Sequence, residues 1–88
     1  MAEIKTKSGF KAKVLDDAMD NWDLLEALRA IDRGEAGAIV EVAPLLLGEE
    51  QVDKLKKHLR SEDGVLRASD MVNEINEILQ GVKEAKKS

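Results

Sequence analysis

The sequence predicts a mainly α-helical single domain carrying an N-terminal β-hairpin. Three observations carry that reading. Residues alternate with period two around Ser8-Gly9, apolar residues recur at helical spacing in four later segments, and turn residues punctuate the joins. The 88 residues suffice for one modest core and are too few for two, so residues 1–88 are read as a single domain. Trp22 and Phe10 are the only aromatics, which makes the core aliphatic.

The hairpin is placed at residues 3–15. Ile4, Thr6, Phe10, Ala12 and Val14 occupy one face, and Lys5, Lys11 and Lys13 alternate with them. Parity selects the turn. A two-residue Ser8-Gly9 loop would pair Ile4 with Lys13 and bring charge onto the apolar face. A three-residue loop, Lys7-Ser8-Gly9, pairs Thr6 with Phe10 and Ile4 with Ala12. Its third position wants a left-handed residue, which Gly9 supplies without steric cost.

Four helices follow, over 20–33, 36–47, 49–60 and 68–82. In the first, Leu24, Leu25, Leu28 and Ile31 share a helical period. Asp20 is the expected N-cap, Met19 and Leu24 the expected hydrophobic staple, and Gly34 the stop. The second is apolar nearly all round and should be buried or covered. Pro44 falls inside it, predicting either a kink or two short helices with Pro44 opening the second. The third is amphipathic, with Val52, Leu55 and Leu59 on one face. Glu49 and Glu50 begin it and Lys56, Lys57 and Arg60 lie near its end, as the helix dipole favours. "SEDG" closes it as a turn. The fourth carries Met71, Ile75, Ile78 and Val82, with Val72 and Leu79 alongside. The charged tail, 83–88, is expected to fray. The predicted core is Leu25, Leu28, Ile31, Leu46, Leu55, Leu59, Ile75 and Leu79.

Composition excludes several kinds of chemistry. There is no cysteine, hence no disulfide, thiolate metal site or thiol nucleophile, which is compatible with a reducing cytoplasm. No apolar run reaches the length that spans a bilayer, and the N-terminus does not resemble a signal peptide, so no membrane partner is expected. The net charge is -4 and the pI near 5.0, so long-range attraction to phosphate is not built in. The Asp16, Asp17, Asp20 and Asp23 cluster lacks the glycine and glutamate positions of a calcium loop and is better read as helix-start carboxylates. His58 is the only histidine and is expected to sit on the surface, helping the last carbonyls of its helix. No nucleophile elbow or phosphate cradle is present. The chain is therefore expected to be non-enzymatic, with no cofactor and no metal. The hairpin lysines lie opposite the one aromatic in their neighbourhood, Phe10, so a solvated face is the better account than a nucleic-acid site. A basic hairpin followed by an acidic first helix gives two ends of opposite sign. Such a distribution is able to steer docking of a partner or assembly of a homo-oligomer.

Several stretches, taken in order, resemble the tail assembly chaperones of long-tailed (siphovirus) phages and prophages of Gram-positive bacteria. They are "SGF" (Ser8 to Phe10), "DNWDLLEAL" (Asp20 to Leu28), "LLLGEEQ" (Leu45 to Gln51), "HLRSEDG" (His58 to Gly64) and the last helix, spanning Thr6 to Leu79. Pro44 departs from the pattern, as does Arg67, which stands where a proline would open the last helix. The resemblance implies a small helical, non-enzymatic protein of virion morphogenesis. Such proteins coat the tape measure protein in the cytoplasm of the bacterial host and are absent from the mature virion. Many also have a longer frameshifted form, whose extension recruits major tail protein. Covering a tape measure helix needs aliphatic grooves, and the candidate partner-binding residues are Ile39, Val42, Leu45, Val72, Ile75 and Leu79. The competing reading is a small phage-encoded regulator that binds a host protein or transcription factor.

Overall fold

The computed structural model describes residues 3–86, with side chains through Lys83. Strands β1 (Glu3–Lys5) and β2 (Lys11–Lys13) pair antiparallel, with Ile4 opposite Ala12 and Lys5 opposite Lys11. The Thr6 N–H donates to the Phe10 carbonyl at 2.9 Å and Gly9 N–H to the Thr6 carbonyl at 3.0 Å. The loop is thus Lys7-Ser8-Gly9, with Gly9 at φ +93°, as parity required. Ala12, Val14 and Thr6 are buried and the lysines face outward.

A short 3₁₀ turn, Ala18–Asp20, leads into α1 (Trp22–Asp32). The cap is Asn21, not Asp20. The Asn21 side chain accepts from the Asp23 N–H at 2.9 Å, while Asp20 is spent in the 3₁₀ turn. Met19 and Leu24 accordingly miss the staple positions, although Leu24 is fully buried. The inward face of α1 is also turned from the expected one. Leu24 and Ala27 are buried, Leu28 and Ile31 are half-buried, and Leu25 is 44% exposed. The leucine period centred the buried arc between Leu24 and Leu28. Admitting Ala27 rotates it by roughly 40° on a helix of 3.6 residues per turn, which carries Leu25 out. Helix α1 packs mainly on α2.

The expected helix at 36–47 divides into a 3₁₀ turn, Ala36–Ala38, and α2 (Ile39–Leu47). No break or second helix occurs at Pro44, which sits inside α2. Proline leaves the carbonyl four residues earlier, that of Val40, without its helical donor. Val40 is 74% exposed, so water can take that place. Helix α2 packs on α1, α3 and α4 and is the centre of the molecule. Val42, Ala43, Leu46 and Leu47 are buried along it.

Gly48 separates α2 from α3 (Glu49–Leu59), which buries Val52 and Leu55 and half-buries Leu59. A turn over Ser61 to Val65 then leads to α4 (Ala68–Lys86). The last helix continues to Lys86, beyond the expected end at 82. Residues 87 and 88 of the expected frayed tail lie outside the described residues. Ile75, Ile78, Leu79 and Val82 enter the core. A radius of gyration of 12.6 Å is close to the ~12 Å of a single compact domain this long.

The hairpin is fastened to later helices by polar contacts. The Gln51 side chain accepts from Lys13 N–H at 2.7 Å and donates to the Lys13 and Leu47 carbonyls. It occupies the exposed edge of β2 as a neighbouring strand would. Lys7 N–H donates to Glu77 Oε2 at 2.6 Å. The α4 backbone also comes close to the hairpin: a Cβ on Gly81 would lie 2.8 Å from Ile4 Cγ2.

Candidate functional site

Three helices leave an apolar groove of about 580 Å³ on the surface. Helix α2 supplies Ile39, Val40, Ala43 and Pro44, and α3 supplies Val52. Leu66 and the first turns of α4, with Ala68 and Met71, close the other side. Ile75, itself shut off from solvent, lies beneath the floor. Val40 forms an exposed lip. The interior proline keeps this part of α2 from satisfying its own backbone, and the same segment lines the groove.

Glu49, Asp53 and Lys56 give the groove a charged rim, spaced four and three residues apart along α3 and all exposed. Among the described residues, no ion pair engages any of them; the pairs present are Arg33 with Glu35 and Arg67 with Asp63. The groove is therefore greasy at its base and charged on one rim, with acid toward the start of α3 and base toward its end.

The predicted partner-binding residues do not converge on this site. Ile39 and Ile75 line it, Ile39 being half-buried. Val42 and Ile75 are fully buried and Leu79 is 9% exposed, which makes these three structural core. In sequence, an apolar stripe looks the same whether it faces a neighbouring helix or a partner. Leu45 lines a second, more polar recess between α1 and α2, beside Glu26, Arg33 and Glu41. Val72 is half-buried and lines neither. Sequence reasoning missed Val40, Pro44, Leu66 and Met71 as groove residues. The one available signal was Val40 and Pro44 one turn apart, on an apolar helix with too much surface to bury.

His58 has a different role from the expected one. Its Nε2–H donates to the Ser8 carbonyl at 2.9 Å, and its ring lies 5.5 Å from that of Phe10. It ties α3 to the hairpin loop and does not serve the carbonyls of its own helix. Trp22 and Leu25 stand exposed, one turn apart, on the outer face of α1. Glu74 is buried, and among the described residues its Oε2 has no hydrogen-bond partner.

The described residues contain no group of three or more histidine, aspartate or glutamate side chains able to hold a metal ion. No helix among them is long and apolar enough to cross a membrane. The Asp63 carboxyl is held below its ordinary range by the Ser61 hydroxyl, with help from the Val65 N–H and Arg67 against a small burial effect. That network shapes the turn leading to Leu66 and the groove. No family model, curated protein or solved structure matches the chain.

Proposed function

We propose that this protein is a non-enzymatic phage tail assembly chaperone that holds an amphipathic helix of the tape measure protein during tail morphogenesis. The observation that carries the reading is the open apolar groove between α2, α3 and α4. A groove between helices accepts the apolar face of another helix through side chains at three- and four-residue spacing. The ordered resemblance from Thr6 to Leu79 supports the same partner class. In this reading the protein acts in the cytoplasm of the bacterial host and leaves before the virion matures. Recruitment of major tail protein belongs to a longer frameshifted form.

Co-expression with the tape measure protein encoded beside it is the test. The tape measure protein should become soluble and co-purify in a stoichiometric complex that survives moderate salt, since apolar contacts are screened less than ion pairs. Val40→Asp should abolish the complex while leaving the fold intact, because Val40 is 74% exposed. Trp22→Asp, similarly exposed but on the outer face of α1, is the matched control. An insoluble tape measure protein in the presence of correctly folded wild type would overturn the proposal. So would selective capture of a host transcription factor.

A further inference from the structure

We infer that the helix taken by this groove carries a basic side chain seated between Glu49 and Asp53, so that the groove reads charge and direction as well as apolar surface. The inference rests on the groove being a helix-binding site. Its own evidence is the acidic lip. Glu49 and Asp53 stand one helical turn apart on α3, both exposed on the groove rim, without an ion pair among the described residues. Like charges at this spacing repel each other. The helix dipole accounts for Glu49, which shares the first turn with Glu50; Asp53 lies beyond that turn, and although Lys56 and Lys57 follow it at three and four residues, it pairs with neither among the described residues. A lysine or arginine entering between the two carboxylates turns the repulsion into two attractive contacts. Guanidinium geometry suits paired carboxylates especially well.

Lys56 gives the lip a direction. It follows Asp53 by three residues on the same rim, so the sign changes from negative to positive along α3. A helix with its basic residue toward the start of α3 and an acidic one toward Lys56 matches both ends. The reversed helix meets like charge at both. Complementary rims of this kind select register and partner more than they raise affinity, which comes from the apolar floor.

Two synthetic helical peptides test this by fluorescence anisotropy with the wild-type chain. Both carry the same leucine stripe; one places lysines and the other glutamates at the positions facing Glu49 and Asp53. The lysine peptide should bind about tenfold more tightly at low salt, with the difference shrinking in high salt. In the E49K/D53K variant the order should reverse, and in E49Q/D53N it should vanish without reversing. Val40→Asp should weaken both peptides alike, reporting on the groove independently of its rim.

Equal binding of the two peptides, or an order unchanged in E49K/D53K, would overturn the inference and leave the groove as a helix site. Failure of both peptides would overturn both, while tape measure solubilisation separately reports on the chaperone role. A concentration-dependent dimer that neither peptide displaces would seat a second copy in the groove and overturn the inference as well.

Discussion

Replacing Leu55 by alanine, beside the same change at Leu25, separates packing from pattern. Both leucines fit an apolar helical period, but Leu55 is fully buried in α3 and Leu25 is 44% exposed on α1. Truncation at Leu55 forfeits about 2.4 kcal/mol of transfer free energy for the lost methylene equivalents. Together with the cavity left behind, the destabilisation should reach about 2 to 5 kcal/mol. At Leu25 roughly half of the transfer effect applies and no enclosed cavity forms, giving about 1 kcal/mol. A domain of 88 residues has roughly 4 to 13 kcal/mol of stability in total. The Leu55 variant thus gives up a large share of it and should melt about 10 to 25 °C lower. Urea melts followed by far-UV circular dichroism are the assay, because Trp22 is 71% exposed and reports unfolding poorly by fluorescence. Equal losses at the two positions, with unchanged m-values, would refute the rotated face of α1. A loss under about half a kcal/mol at Leu55 would remove it from the core.

Three further outcomes are expected. Gly81→Val should push α4 off the hairpin, because its Cβ would meet Ile4 Cγ2 at 2.8 Å; loss of cross-strand contacts between Ile4 and Ala12 by NMR checks it, and an intact hairpin would contradict the close approach. Glu74→Met should hold stability level or raise it by about 1 to 3 kcal/mol, since it removes a buried oxygen without a partner; marked destabilisation in thermal melts would mean that the carboxylate has an essential contact. The Asp63 carboxyl, whose ordinary value is 3.8, is depressed chiefly by the Ser61 hydroxyl, so its stabilising effect is present above that value and is lost only as pH falls through the lower folded one. The Ser61 and Val65 amide resonances should therefore titrate with a midpoint below 3.8, whereas a midpoint at or above it would show an unshifted group.

The hairpin was legible down to its loop length because strand parity is strict. A one-residue error would have put Lys13 opposite Ile4. Helix α3 was equally legible, its charges and apolar face agreeing with each other. The first helix was legible as a helix but not in its facing. Alanine carries little weight in an apolar count, yet Ala27 is buried on the inward face of α1 while Leu25 is exposed. Which of Asp20 and Asn21 would cap was also undecided by residue type, since both side chains cap well. Pro44 left two geometries open; the helix runs through it, and Val40, whose carbonyl loses its donor, is exposed. At the groove, composition could show an excess of apolar surface on α2 and α4, but not how three helices divide it. Val42, Ile75 and Leu79 went to the core, while Val40 was left outside. Gln51 and His58 reach across 38 and 50 residues to the hairpin, contacts that no local pattern encodes.

The close meeting of Ile4 with Gly81 has a consequence for biosynthesis. A two-stranded hairpin is marginal by itself, and its fastenings here come from Gln51, His58, Glu77 and Gly81. A ribosome adding about 5 to 20 residues per second delivers the last of these roughly 3 to 14 seconds after the hairpin strands are made. Until Gln51 arrives, β2 has an open edge, the kind of template on which nascent chains pair wrongly. The outward lysines then act as a kinetic guard, since two such hairpins would bring like charges together. The closing of the domain is a late event, set by the arrival of α4 at the tunnel exit. A chain stalled before residue 77 would expose the hairpin to proteases as an unclasped end.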